Sequence, residues 1–259
     1  MSRNFRSTIR GHGPGLVLAH GAGGGIEANF GPLIDDLART HTVIGADYPG
    51  AGATPRSTES LDLDTLADEL AGVAVAAGVQ RWTVLGYSLG TAVAVRMATR
   101  HPGRVDGVIL TAGFAKPDNR MRLALDIWAE LLHGDRRLLA KFLTFAASGP
   151  STLNAVPPAE LDALIDEAAA SIPEGSPEHV ALGAEVDIRA ELRHVRAPTL
   201  VVATTADGLT GPSLSRQLAD GIAGARLVEV DTGHLIGAEA PGPWLEAIRS
   251  FLEEKESAA

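Results

Sequence analysis

The chain has 259 residues and a formal net charge of −10, with no Lys- or Arg-rich run, a balance that argues against nucleic acid as a partner. It contains no cysteine, which excludes disulfides, a thiolate nucleophile and cysteine-based metal sites. No apolar run approaches the roughly 20 residues that span a bilayer, and the opening MSRNFRSTIRGHGPG lacks the apolar region of a secretory leader, so a cytoplasmic location without a membrane partner is expected.

In chain order, short apolar runs ending in glycine or polar turns alternate with longer helical patterns, the signature of βαβ units and a parallel sheet. Strands are predicted over 15–21 (GLVLAHG) and 41–50 (HTVIGADYPG), with a helix over 29–39 between them that spaces Phe30, Leu33, Ile34 and Leu37 on one face. A helix over 61–77, a strand in RWTVLGYS, a helix over 90–101 closed by Pro102 and a strand over 105–113 follow. The rhythm then breaks. Helical patterns without a strand are predicted over 121–132, 136–147, 158–171 and 178–188. It resumes with a strand over 197–207, a helix over 213–222, a strand over 225–234 and a helix over 242–254, before a Ser257-Ala-Ala tail expected to fray. A helical insert of roughly 75 residues is too long for a loop and should cover the strand ends. The fold class is therefore α/β, a mostly parallel sheet flanked by helices. The expected division is core over 1–114, helical cap over 115–190 and core again over 191–259.

Gly86-Tyr87-Ser88-Leu89-Gly90 matches G-x-S-x-G at a predicted strand-to-helix turn, where glycines relieve crowding around a sharp bend and the serine projects from the sheet edge. The same serine could merely cap a helix. A hydroxyl nucleophile needs a base and a group to orient that base. His234 ends the last predicted strand and Asp207 the one before it, giving the order Ser, Asp, His; Asp118 is the nearest rival acid. The developing oxyanion needs donors, and the Leu89 amide is one candidate. Ala22 or Gly23, in the loop His20-Gly-Ala-Gly-Gly-Gly25, would supply the other, with His20 buttressing the loop. As a phosphate cradle this loop would lack the required lysine and spacing.

These motifs, with DYPGAGAT at 47–54, the run DIRAELRHVRAPTLVV from Asp187, ADGLTGP ending at Pro212 and GHLIGAEAP ending at Pro241, resemble the α/β-hydrolase superfamily. The likeness is to small bacterial enzymes with a serine nucleophile and a helical cap. It implies a catalytic set of Ser88, Asp207 and His234, with Asp47 and Glu239 as structural positions. Haloalkane dehalogenases and epoxide hydrolases carry an aspartate at the elbow, where this chain has Ser88. HGAGGGIEANFGPL also resembles the loop of carbon-carbon bond hydrolases, with Asn29 following; it departs from them in having Gly in place of Pro and Ile26-Glu27-Ala28 in place of a tryptophan. Cofactor-free perhydrolases share the same triad.

Met121, Leu125, Trp128 and Leu132 recur at helical spacing, and Phe142 with Phe145 marks a second apolar face. Met121, Trp128, Phe142 and Phe145 are the candidate pocket residues, although such stripes also pack a cap onto its core. The expected function is hydrolysis of an ester, lactone or thioester of a hydrophobic small molecule through an acyl-enzyme on Ser88, by a monomer or homodimer. Alternatives are carbon-carbon cleavage, non-hydrolytic acyl transfer or cyclisation, a lyase, and a ligand-binding receptor with a hydrolase shell. No cofactor and no metal are implied.

Overall fold

Strands covered by helices on both sides are apolar along their whole length, and β2 (Gly15–Ala19) and β4 (Trp82–Tyr87) are buried at every residue. The computed structural model describes residues 5–257. Its seven-stranded sheet also contains β1 (Ser7–Arg10), β3 (Thr42–Ala46), β5 (Val105–Thr111), β6 (Thr199–Thr204) and β7 (Arg226–Val230), in the order β1-β3-β2-β4-β5-β6-β7. All pairings are parallel except β1 with β3. Chain order reverses between β2 and β4, so the loops leaving these two strands flank the crevice where such sheets place their sites.

Alternation along each strand divides the core into two layers. Leu16, Leu18, Leu85, Ile109 and Val202 face one way, against Phe30 of α1 (Ile26–Leu37) and Trp244 of α11 (Pro241–Ser257). Val17, Val84, Val108 and Val201 face the other, against α2 (Leu63–Ala76), α3 (Leu89–Arg100) and α9 (Pro212–Gly221). Two of the three core indoles are hydrogen-bonded: Trp244 Nε1 donates to Thr111 Oγ1 at 3.0 Å and Trp82 Nε1 to the Met97 sulfur at 3.1 Å. Truncating any of the buried leucines to alanine costs about 2–5 kcal/mol.

Between β5 and β6 run α4 (Asn119–Leu131), α5 (Arg136–Ala147), α6 (Pro150–Ala155), α7 (Pro158–Ser171) and α8 (Ser176–Glu185), with no strand among the described residues. These helices meet the loops at the strand ends. A Cβ on Gly50 would run into Gly175, one on Gly233 into the Gly149 amide, and one on Gly23 would lie 2.5 Å from Trp128 Cζ2.

A first strand, two short helices and the 3-10 turn Leu192–His194 escape the sequence patterns. β1 is four mostly exposed residues without an apolar run, paired to β3 and tied to α1 by the Arg10–Asp35 ion pair. α6 and α10 (Ile236–Glu239) are too short to show a helical period. The last helix continues through Ser257, where fraying is expected; Ala258 and Ala259 lie outside the described residues. No helix among the described residues is long and apolar enough to cross a membrane.

Candidate active site

Ser88 sits between the last residue of β4 and the first of α3 with φ 53° and ψ −122°. That conformation costs a non-glycine residue on the order of 1–3 kcal/mol and is held by its surroundings. The Ser88 amide donates to Thr111 O at 3.0 Å, and its carbonyl accepts from the Thr91 hydroxyl at 2.6 Å. The flanking glycines are there for space: a Cβ on Gly90 would overlap the carbonyl of Ala19, and one on Gly86 the carbonyl of Gly90.

The loop after β7 brings His234 Nε2 to 3.0 Å from Ser88 Oγ, and its Nδ1 lies 2.7 Å from Asp207 Oδ2. All three residues are buried, with Ser88 still 7% exposed. Asp207, after β6, is saturated with donors. Its Oδ1 accepts the amides of Leu209 and Thr210, both at 2.8 Å, and its Oδ2 is within reach of the hydroxyls of Thr204 at 2.9 Å and Thr210 at 2.7 Å. Burial pushes its carboxyl upward, but the His234 charge and these hydrogen bonds outweigh it and hold the group below the usual carboxylate range. A carboxylate can only accept, so Nδ1 carries the proton and the Nε2 lone pair faces Ser88. The His234 backbone is pinned as well: its amide donates to Ala147 O at 2.7 Å and its carbonyl accepts from Tyr87 Oη at 2.7 Å.

The rival acid, Asp118, caps α4 by accepting the Met121 amide at 2.8 Å. Asp47 accepts the Ile26 amide at 2.8 Å and braces the start of α1. Glu239 accepts the amides of Gly233 and Gly149.

Across the crevice, Ala22, Gly23 and Gly24 are half-buried. The Gly21 amide donates to Asn29 Oδ1 at 2.9 Å and the Gly23 amide to His179 Nδ1 at 3.3 Å. The amides of Ala22 and of Leu89, the first residue of α3, meet no acceptor among the described residues. His20 does lie behind this loop, with Nδ1 2.8 Å from Gly21 O and Nε2 accepting the Tyr48 amide at 2.8 Å.

Met121 and Trp128 are buried on the inner face of α4, and Phe142 is half-buried on α5. Phe145 departs from the expected pocket. It is 77% exposed because Leu139, Ala140, Ala146 and Ala147 occupy the inner face of α5, which turns Phe145 outward with Leu138. Nothing in the sequence singles out Thr210 or His179. A threonine three residues after Asp207 is an ordinary turn residue, and His179 is one of two histidines in the insert, with no spacing that ties it to the glycine loop.

The family model described as alpha/beta hydrolase fold matches residues 14–241. The chain is 31% identical over 246 residues to the pyrrolizixenacetamide deacetylase of Xenorhabdus hominickii, covering 94% of this chain and 92% of that one. It is 30% identical to the pimeloyl-(acyl-carrier protein) methyl ester esterase of Chromobacterium violaceum over 85% of this chain and 86% of the relative. Among solved structures, a hydrolase from Pseudomonas aeruginosa superposes with a TM-score of 0.84 at 26% identity, covering 96% of this chain and 94% of the other.

Proposed function

The chain belongs to the alpha/beta hydrolase family, and on that footing we propose that it is a serine hydrolase cleaving an ester or amide of an apolar small molecule. The observation that carries this reading is the continuous relay from Ser88 Oγ through His234 to Asp207, with the serine at a strained elbow. Ser88 attacks the carbonyl and passes its proton to His234 Nε2, while Asp207 stabilises the imidazolium that forms. The amides of Leu89 and Ala22 donate to the oxyanion; Gly23, the other candidate of the loop, spends its amide on His179. His234 then protonates the leaving alcohol or amine, which departs and leaves an acyl-serine. Water, deprotonated by His234, releases the acid and restores Ser88.

The reading of amides beside esters as candidate substrates is supported by one relative named as a deacetylase and another named as a methyl ester esterase. Helices of 115–190 act as a cap, and Met121 and Trp128 contribute its apolar wall. Incubation with p-nitrophenyl acetate and with an acetanilide, followed by product mass, tests the reading. Release of the free acid by wild type, absent in Ser88→Ala and His234→Ala, supports it. Undiminished turnover by Ser88→Ala overturns it, and products without added water would indicate acyl transfer or cyclisation instead.

A further inference from the structure

His179, on α8, is fully buried and touches two loops at once: Nδ1 accepts the Gly23 amide at 3.3 Å and Nε2 lies 3.0 Å from Pro49 O. A ring nitrogen that accepts an N–H must carry the lone pair, and a carbonyl oxygen can be bonded only by an N–H. The two contacts therefore define one neutral tautomer, protonated on Nε2. His20 holds the opposite tautomer, because its Nε2 accepts from Tyr48 and its Nδ1 donates to Gly21 O. The two rings meet edge-on at 5.9 Å, and Tyr48 stacks on His20 at 3.8 Å.

The loop groups on either side of Ala22 are thus each held by an imidazole. His20 takes the Gly21 carbonyl, His179 takes the Gly23 amide, and the Gly21 amide goes to Asn29. Of the amides of Gly21, Ala22 and Gly23, that of Ala22 is the one without an acceptor among the described residues. Three consecutive glycines follow it, and Gly23 has a φ of +63°. Such a stretch is costly to order, at about 1–2 kcal/mol of backbone entropy per residue. An oxyanion donor is effective only when it is ordered before the charge develops.

We propose that His179 is a positioning residue, supplied by the helical insert, which fixes the oxyanion loop by binding the Gly23 amide and leaves Ala22 to donate. This role rests on the serine hydrolase reading of the site. The insert then does more than shape a pocket, since through His179 it completes the electrostatic half of the active site from a part of the chain remote in sequence.

Two substitutions separate the ring's two contacts. His179→Asn places a carboxamide oxygen close to the Nδ1 position and can still accept from Gly23, while losing the reach to Pro49. His179→Gln places its amide nitrogen close to the Nε2 position and can still donate to Pro49, while losing the acceptor for Gly23. On an ester that wild type turns over, His179→Gln is expected to lower kcat about tenfold or more, with KM changed less than about threefold. Its affinity for an alkyl boronic acid, a transition-state mimic that adds to Ser88, should fall by a similar factor. His179→Asn should keep kcat within about threefold of wild type. Equal losses in the two variants, an effect on KM alone or no effect in either would overturn the proposal. Both variants lose one buried hydrogen bond, so equal drops in melting temperature with unequal kcat support positioning. Ser88→Ala measured alongside separates the two readings: an inactive Ser88→Ala with a fully active His179→Gln removes only the role of His179, whereas an active Ser88→Ala removes the serine hydrolase itself.

Discussion

Glu239 and Gly149 tie the helical insert to the loop that carries His234: Glu239 Oε1 accepts the Gly149 amide at 2.9 Å while its Oε2 accepts the Gly233 amide at 2.8 Å. The Thr232 hydroxyl adds a third bond at 3.0 Å. Every partner is a donor, so only a carboxylate satisfies them all. Glu239→Gln turns one oxygen into an NH2 group facing an N–H, and should destabilise the protein by about 1–3 kcal/mol in urea denaturation. Because the broken bond borders His234, kcat should fall as well. A variant with unchanged stability and turnover would show that this joint is not a restraint.

Asp207→Asn meets the same difficulty at the relay. Two amides and the His234 Nδ1–H all point at the carboxylate, so a carboxamide must turn its NH2 toward one of them. Turned toward His234, it favours the tautomer with the proton on Nε2, which cannot accept from Ser88. The expected loss in kcat is about 10⁴-fold, the size seen when a triad acid loses its charge. A loss below about tenfold would assign the orienting role to another group.

Ser88 has a backbone suited to glycine, with φ at 53°. Ser88→Gly relieves this strain and Ser88→Ala keeps it. Both should be inactive, with the glycine variant the more stable by about 1 kcal/mol by denaturant midpoint. A more stable alanine variant would show that the elbow stores no strain.

Stability should decline on acidification before the carboxylates titrate. Burial, reinforced by the nearby His179, lowers the His20 pKa from 6.5 to about 3, and burial lowers that of His179. The unfolded chain binds protons as pH falls through about 6.5 while folded His20 stays neutral until about 3. Unfolding is thus favoured across that window, by up to about 1.4 kcal/mol per pH unit for each such histidine. Asp207, whose folded pKa is depressed, adds a loss at lower pH, as its carboxylate is finally protonated. Urea denaturation at pH 7, 6 and 5 should show a falling free energy and a shallower slope in His179→Asn. A flat profile would contradict the neutral buried pair.

By itself the sequence determined whatever physical chemistry writes locally. Buried parallel strands must be apolar runs, a sharp strand-to-helix turn at Ser88 needs glycines two residues either side, and Asp207 and His234 lie in the loops just after β6 and β7 that their own flanking residues announce. Chain order favours Asp207 over Asp118 as the partner of His234, and it is Asp207 that lies 2.7 Å from His234 Nδ1, while Asp118 accepts the Met121 amide. Side-chain direction on α5 was not legible, because Phe142 and Phe145 fit a helical face without saying which face the core would take. Nor were contacts between residues remote in sequence. Glu239 bonds the Gly149 amide across 90 residues and His179 the Gly23 amide across 156. Those pairings depend on how the helical insert docks over the sheet, and docking is decided by the packing of whole surfaces. Tertiary structure alone therefore decided which buried side chains take the amides of Gly21 and Gly23 on either side of Ala22.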